Sequence, residues 1–133
     1  MNILVLGGAG FLGSHVADQL TMAGHHVRIF DRMSSPWLHQ DQQMILGDLL
    51  DQATLDQAID GCEVVYNFAA IADLDEALEK PVETARTNVL GNVQILEACR
   101  KFGISRYIFA STVYVYSRDG GFYRCSKQAA EHY

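Results

Sequence analysis

The chain has 133 residues, 49% of them hydrophobic and 20% charged, with 10 basic against 16 acidic side chains and a net charge of −6. That length and balance fit one globular domain with a real core and exclude a disordered chain. No Lys/Arg cluster is present, which argues against nucleic acid or an anionic membrane surface as partner, and no apolar run approaches the ~18–20 residues of a membrane span.

The first thirteen residues set the pattern. Ile3 to Leu6 are an apolar run suited to one buried strand, and it breaks into glycines at Gly7, Gly10 and Gly13. Val16 and Leu20 follow at a helical step, so the order is strand, glycine turn, helix. Gly7 permits the tight exit from the strand. Gly10, without a Cβ, lets backbone approach a pyrophosphate, and Gly13 lets the new helix pack against the strand. The helix start offers free N–H groups and a positive dipole end to phosphates. Such a triplet also occurs in plain turns; here it opens a β-α-β unit and an acid follows.

The first helix is expected over residues 14–23, closed by Gly24. Strand 26–31 ends in Asp31, 18 positions after Gly13, near the ~20 expected of an acid that binds the adenosine ribose; a solvated acid at a strand end is the plain alternative. Its charge would repel a 2′-phosphate, so NAD is favoured over NADP. Arg32 acts the other way, since a guanidinium there neutralises such a phosphate. Residues 33–43 read as loop and 44–46 as a short strand. Asp48, beside Leu49, either reaches the adenine amino group or caps the next helix at 51–59.

Strand 62–68 ends at Phe68 and runs into Ala69 and Ala70, small enough for a cofactor to lie against, though core packing explains two alanines as well. Loop 71–80 is expected to be acidic and exposed. Pro81 suits the first turn of a long helix ending at Gly103. In it Val82, Ala85, Val89, Val93, Leu96 and Cys99 recur at helical spacing and are expected to face the core. Asn88, close to that stripe, is either an exposed edge residue or a tether for a neighbouring loop. The fifth strand, 106–112, ends in Ser111 and Thr112. In an open parallel sheet ligands collect at the carboxyl ends of strands, so all five ends point at one crevice. Polar residues 117–121 precede a helical tail.

Tyr123 and Lys127 are four apart and share a helix face. A solvated face is the ordinary meaning of that spacing; behind a nucleotide turn, the ammonium is expected to lower the tyrosine pKa and make the pair a general acid and base. Cys62, Cys99 and Cys125 are odd in number and widely spaced. That is the pattern of reduced, buried thiols in a cytosolic protein, with neither a disulfide frame nor a metal site expected. The chain opens on a strand with no basic leader, so a cytoplasmic location is expected.

Taken together, Gly7-Gly8-Ala9-Gly10-Phe11-Leu12-Gly13, Asp31, Asp48-Leu49, Ala69-Ala70, Asn88, Ser111-Thr112-Val113-Tyr114 and Tyr123 with Lys127 resemble the extended branch of the short-chain dehydrogenase/reductase superfamily. Its NAD-dependent nucleotide-sugar epimerases and dehydratases are the nearest likeness. The resemblance implies an α/β fold, a Rossmann-type doubly wound parallel sheet of which residues 1–133 supply five strands. The family continues with a further strand and a C-terminal substrate domain, neither of which is among residues 1–133. It implies that NAD is held by Gly7, Gly10, Phe11, Leu12, Gly13, Asp31, Arg32, Asp48, Leu49, Phe68, Ala69, Ala70 and Asn88, with Tyr123 and Lys127. Thr112, Tyr123 and Lys127 become the catalytic set: Thr112 binds the reacting oxygen, Lys127 holds the nicotinamide ribose, and Tyr123 takes a hydroxyl proton while hydride leaves the same carbon. A small-molecule substrate of the nucleotide-sugar kind is implied, as is a homodimer through helices 81–102 and 123 onward. A dinucleotide-binding module without turnover is the alternative. Two departures stand out: Thr112 replaces the commoner serine, and the segment between Thr112 and Tyr123, which normally helps frame the sugar, is shorter than in the usual sugar epimerases.

Overall fold

The computed structural model describes residues 1–133. Five strands form one parallel sheet: β1 (Asn2–Leu6), β2 (His26–Asp31), β3 (Gln42–Leu46), β4 (Val64–Asn67) and β5 (Arg106–Phe109), in the order β3-β2-β1-β4-β5. β1 is central because its residues 3–6 are buried on both faces. Leu6 sits in register with Phe30 of β2 and Asn67 of β4. The chain therefore builds outward from β1 to β3, returns, and builds outward again, which leaves a reversal point between β1 and β4.

The pleat divides the core. Leu4 and Leu6 face α2 (Gln52–Ile59) and, later in the chain, α5 (Gly91–Lys101), packing with Phe30, Leu55, Ile59, Val65 and Ile95. Burying a side chain such as Leu55 or Ile59 contributes about 2 kcal/mol. Val5 faces the other way, with Val27, Ile29 and Ala17 of α1 (Phe11–Met22). β5 is less covered: Arg106 is exposed and Tyr107, Ile108 and Phe109 are half-buried. No helix is long and apolar enough to cross a membrane.

Four expectations are corrected. Segment 71–80 is not a plain exposed loop. Asp73 caps a short helix, α3 (Leu74–Glu79), whose Ala77 joins Ile71 and Tyr123 in a third buried cluster. The long helix is three pieces: α4 (Pro81–Ala85), a π-helical turn Arg86–Leu90, and α5. Its apolar stripe is also turned outward. Val82 is 72% exposed, Ala85 is exposed, and Val89, Val93 and Leu96 are half-exposed. The buried positions are Thr84, Asn88, Gly91, Asn92, Ile95, Ala98 and Cys99. The polar members can go inside because each finds a partner there, and a satisfied polar group is not expensive to bury. Finally, Cys62 and Cys99 are buried but Cys125 is exposed, on the outer face of α6 (Gly121–His132).

Candidate active site and nucleotide cradle

The glycine turn is shaped by contact, not merely by flexibility. Gly7 has φ +74°, and a Cβ there would lie 2.6 Å from the Ala69 amide nitrogen and 2.7 Å from the Phe68 carbonyl carbon. The ends of β1 and β4 thus touch through it. A Cβ on Gly13 would collide with the Gly7 carbonyl, so the first turn of α1 sits directly on the strand exit. Gly10 differs: a Cβ would meet only the Gly7 oxygen, at 3.3 Å. Gly10 is also the N-cap of α1 and no side chain caps it, so the helix start is free to bind an anion. Phe11 and Leu12 are 79% and 55% exposed; their side chains point to solvent and only their backbone N–H groups belong to this helix start.

A cavity of about 160 Å³ opens beside the turn. Its walls include Gly7, Gly10, Asp31, Arg32, Asp48, Leu49, Phe68, Ala69 and Ala70, gathered from the ends of β1, β2, β3 and β4. Asp31 accepts the Ala9 N–H at 3.1 Å and the Met33 N–H at 3.3 Å. Asp48 accepts the Leu50 N–H at 2.9 Å. It is not the helix cap: Asp51 caps α2 through the Ala53 N–H at 3.2 Å, which leaves Asp48 on the cavity wall. Thr87, on the π turn, is a further wall residue. The regular helical phase assumed from sequence gave no signal for it. A glycine cradle, an uncapped helix start and a carboxylate at the strand end together fit an adenine dinucleotide. At the opposite ends of the strands a depression of about 320 Å³ contains Arg28, whose guanidinium is already bonded to the Ala58 and Asp60 carbonyls.

Helix α6 supplies the second half of the site. Tyr123, Ser126, Lys127 and Ala130 are its buried face, spaced as one side of a helix. Lys127, 3% exposed, donates to the Ala110 carbonyl at 2.7 Å and lies 4.6 Å over the Phe109 ring. Burial without a carboxylate partner lowers its pKa from 10.5 to about 8. Tyr123 moves up, not down as expected: burial disfavours its phenolate, while the nearby Thr112 hydroxyl pulls the other way. The reason is geometric. The Lys127 ammonium is aimed at the end of β5 and stands 5.9 Å from the Tyr123 ring centre. Thr112 also accepts the Tyr114 N–H at 3.3 Å, capping the 3-10 turn Val113–Tyr116. Ser111 is turned away and bonded to Glu131, so Thr112 is the hydroxyl that faces Tyr123.

Two buried polar chains tie these halves together. Asn88, 4% exposed, accepts the Ile71 N–H at 2.8 Å and donates to the Ile71 carbonyl at 2.9 Å and to the Ser126 hydroxyl at 2.9 Å. Ser126 donates in turn to the Tyr123 carbonyl at 2.7 Å. Asn88 is therefore the tether and not the exposed edge residue; its amide is committed to protein partners. Nearby, Asn67 donates to the Tyr107 hydroxyl at 2.8 Å, which donates to Asn92 at 2.5 Å. Asn92 reaches the Ala130 carbonyl at 3.4 Å, and Asn67 accepts the Ala69 N–H at 3.0 Å. Ser126 and Asn92 were not singled out from sequence, because a lone Ser or Asn in a helix carries no mark of its distant partner.

Comparison with known proteins agrees with this geometry. A family model described as NAD dependent epimerase/dehydratase matches residues 3–133. A UDP-glucose 4-epimerase of Klebsiella pneumoniae is 31% identical over 128 residues, covering 87% of this chain and 92% of that protein. A UDP-N-acetyl-alpha-D-glucosaminuronate decarboxylase of Bacillus cytotoxicus is 35% identical over 121 residues, covering 86% of this chain and 37% of that protein. Among solved structures, a UDP-glucose 4-epimerase of Thermotoga maritima with UDP-glucose superposes with a TM-score of 0.93 at 30% identity, over 100% of this chain and 50% of that one. A UDP-glucose 4-epimerase of Thermus thermophilus in complex with NAD gives 0.88 at 31% identity, over 100% and 49%. The chain spans about half the length of these solved relatives.

Proposed function

The chain belongs to the NAD-dependent epimerase/dehydratase family, and on that footing we propose that it holds NAD across its strand ends and carries the acid–base residues of a site acting on a nucleotide sugar. One observation carries the reading. The glycine cradle after β1 and the Thr112–Tyr123 pair after β5 flank β4, at the point where the strand order reverses.

The roles follow from the chemistry of each group. The Gly7–Gly10 turn and the start of α1 take the diphosphate, and Asp31 accepts the adenosine ribose hydroxyls. NAD, when bound, supplies a hydride acceptor for the substrate carbon. Thr112 orients the substrate oxygen and Tyr123 exchanges its proton. Lys127 holds the second ribose. Burial holds the Tyr123 phenol in its protonated form and makes it reluctant to release that proton; for the base role Lys127 must leave the Ala110 carbonyl and bring its charge closer to the phenol oxygen. The relatives named above are UDP-sugar enzymes, which makes a UDP-hexose the first substrate to try.

The test is calorimetry with NAD and a turnover assay with UDP-glucose. Wild type and Tyr123→Phe are expected to bind NAD alike, and only wild type to convert the sugar. A second reading is a dinucleotide-binding module without turnover, which rests on the glycine cradle alone. NAD binding with no conversion would select it, and absence of NAD binding would overturn both. We further propose a homodimer through α4–α5 and α6. Its support is a groove of about 170 Å³ lined by Ala85, Val89 and Phe122, with the exposed Val82 on the same helix. Sedimentation of wild type against Val89→Glu tests it, with a monomer expected only for the variant.

A further inference from the structure

Arg32 follows Asp31 directly, so its guanidinium is placed to undo the selection against a 2′-phosphate that Asp31 imposes. The fold gives that guanidinium another partner. Arg32 Nη1 lies 4.0 Å from Glu83 Oε1 of α4, with both side chains about half exposed at 58% and 51%. Beside the 160 Å³ cavity lies a wider one of about 590 Å³, and the two share Arg32, Asp48 and Thr87 as common wall. Glu83 stands in the wider cavity. It is therefore on the side of Arg32 away from the glycine turn, where it competes with any phosphate for the guanidinium. The other cations of this wall are Lys80, bonded to Glu76 at 3.1 Å, and Arg86, which makes no ion pair.

We propose that Glu83 is a specificity-determining residue: by engaging Arg32 it keeps the adenosine end of the site selective for a 2′-hydroxyl and closed to a 2′-phosphate. This rests on the NAD reading above. Glu83 and Arg32 lie about 50 positions apart in the chain, so only the return of α4 beside the end of β2 makes the pairing. A 2′-phosphate entering the wild-type cavity meets the Asp31 and Asp48 carboxylates and an arginine whose charge is already countered. Without Glu83, the guanidinium is free to form charge-assisted hydrogen bonds to phosphate oxygens. The pair is solvent-exposed, so the effect is a moderate change in preference and not an all-or-none switch.

The experiment measures dissociation constants by calorimetry for NAD and NADP, and for 5′-AMP against adenosine 2′,5′-bisphosphate as probes of the adenosine end alone. Wild type is expected to prefer NAD. Glu83→Gln is expected to tighten NADP and the bisphosphate by roughly 2–5-fold while leaving NAD essentially unchanged, the scale of one exposed charge. Adding Arg32→Ala should erase the gain. An unchanged NADP/NAD ratio in Glu83→Gln would overturn the proposal while leaving NAD binding intact. A gain that survives Arg32→Ala but is lost with Arg86→Ala would overturn it too, moving the phosphate contact to Arg86. If wild type binds no NAD, the cofactor reading fails and this inference fails with it.

Discussion

The Asn88 amide donates to the Ser126 hydroxyl at 2.9 Å, and through that bond the Ile71 end of the cavity wall is coupled to the helix that carries Tyr123. On one side Asn88 saturates the Ile71 backbone, just past Ala69 and Ala70. On the other, Ser126 stands between Tyr123 and Lys127 and binds the Tyr123 carbonyl. The π-helical turn Arg86–Leu90 is where Asn88 sits, in keeping with the tendency of such turns to mark functional sites.

That coupling has a measurable cost when cut. Asn88→Ala strands the buried Ile71 N–H and carbonyl and is expected to destabilise the domain by about 3 kcal/mol, whereas Ser126→Ala should cost about 1 kcal/mol. In chemical denaturation the double variant is expected to be less destabilised than the sum of the singles, because both remove the same bond. Strict additivity would show that the two residues act independently.

Gly7 and Gly24 separate backbone strain from close contact. Both have positive φ, +74° and +85°, but a Cβ on Gly24 meets nothing within 4 Å while one on Gly7 meets the β4 exit. Gly24→Ala is expected to cost about 1 kcal/mol, the strain alone. Gly7→Ala should cost at least ~3 kcal/mol, since the Ala69 and Phe68 backbone must also move. Thermal unfolding of the two variants checks the difference; equal losses would refute the contact.

Lys127 makes stability depend on alkaline pH. Its folded pKa is about 8 against an ordinary 10.5, so between those values the unfolded chain binds the extra proton. Stability from this group therefore rises as pH rises from about 8, by up to ~1.4 kcal/mol per pH unit. Cys99, raised from 9.0 to about 11 by burial, works in the opposite direction above pH 9. The clean readout is the stability difference between wild type and Lys127→Met, which should shift in favour of wild type across pH 8–10. A flat difference would mean that Lys127 titrates normally.

Asp31→Ala removes the carboxylate proposed for the ribose and frees the Ala9 N–H. NAD binding is expected to weaken by roughly tenfold, the loss of a charged hydrogen-bond acceptor, and NADP binding to weaken less. Equal weakening by calorimetry would count against the ribose role.

Local signals were readable because they impose backbone geometry within a few residues. Three glycines at fixed spacing, apolar runs of strand length and Pro81 at a helix start belong to this class, and β2 at His26–Asp31 is found where it was expected. The helix from Pro81 was misjudged for the converse reason. Counting apolar residues selects the Val82–Val93 side, yet Thr84, Asn88 and Asn92 are buried, because Lys80, Ile71, Ser126, Tyr107 and Ala130 satisfy them. Asp48 could equally reach the adenine or cap the next helix until the path of the chain gave the cap to Asp51.

The succession of strands along the chain and the glycine turn after the first of them were thus inscribed in the chain itself, since each depends on what a residue permits at its own position. The inward face of the Asn88 helix, the upward shift of Tyr123 and the pairing of Arg32 with Glu83 were settled only when distant segments met. Burial and electrostatic interaction are properties of surroundings, and residues far apart in the chain become surroundings for one another only through folding.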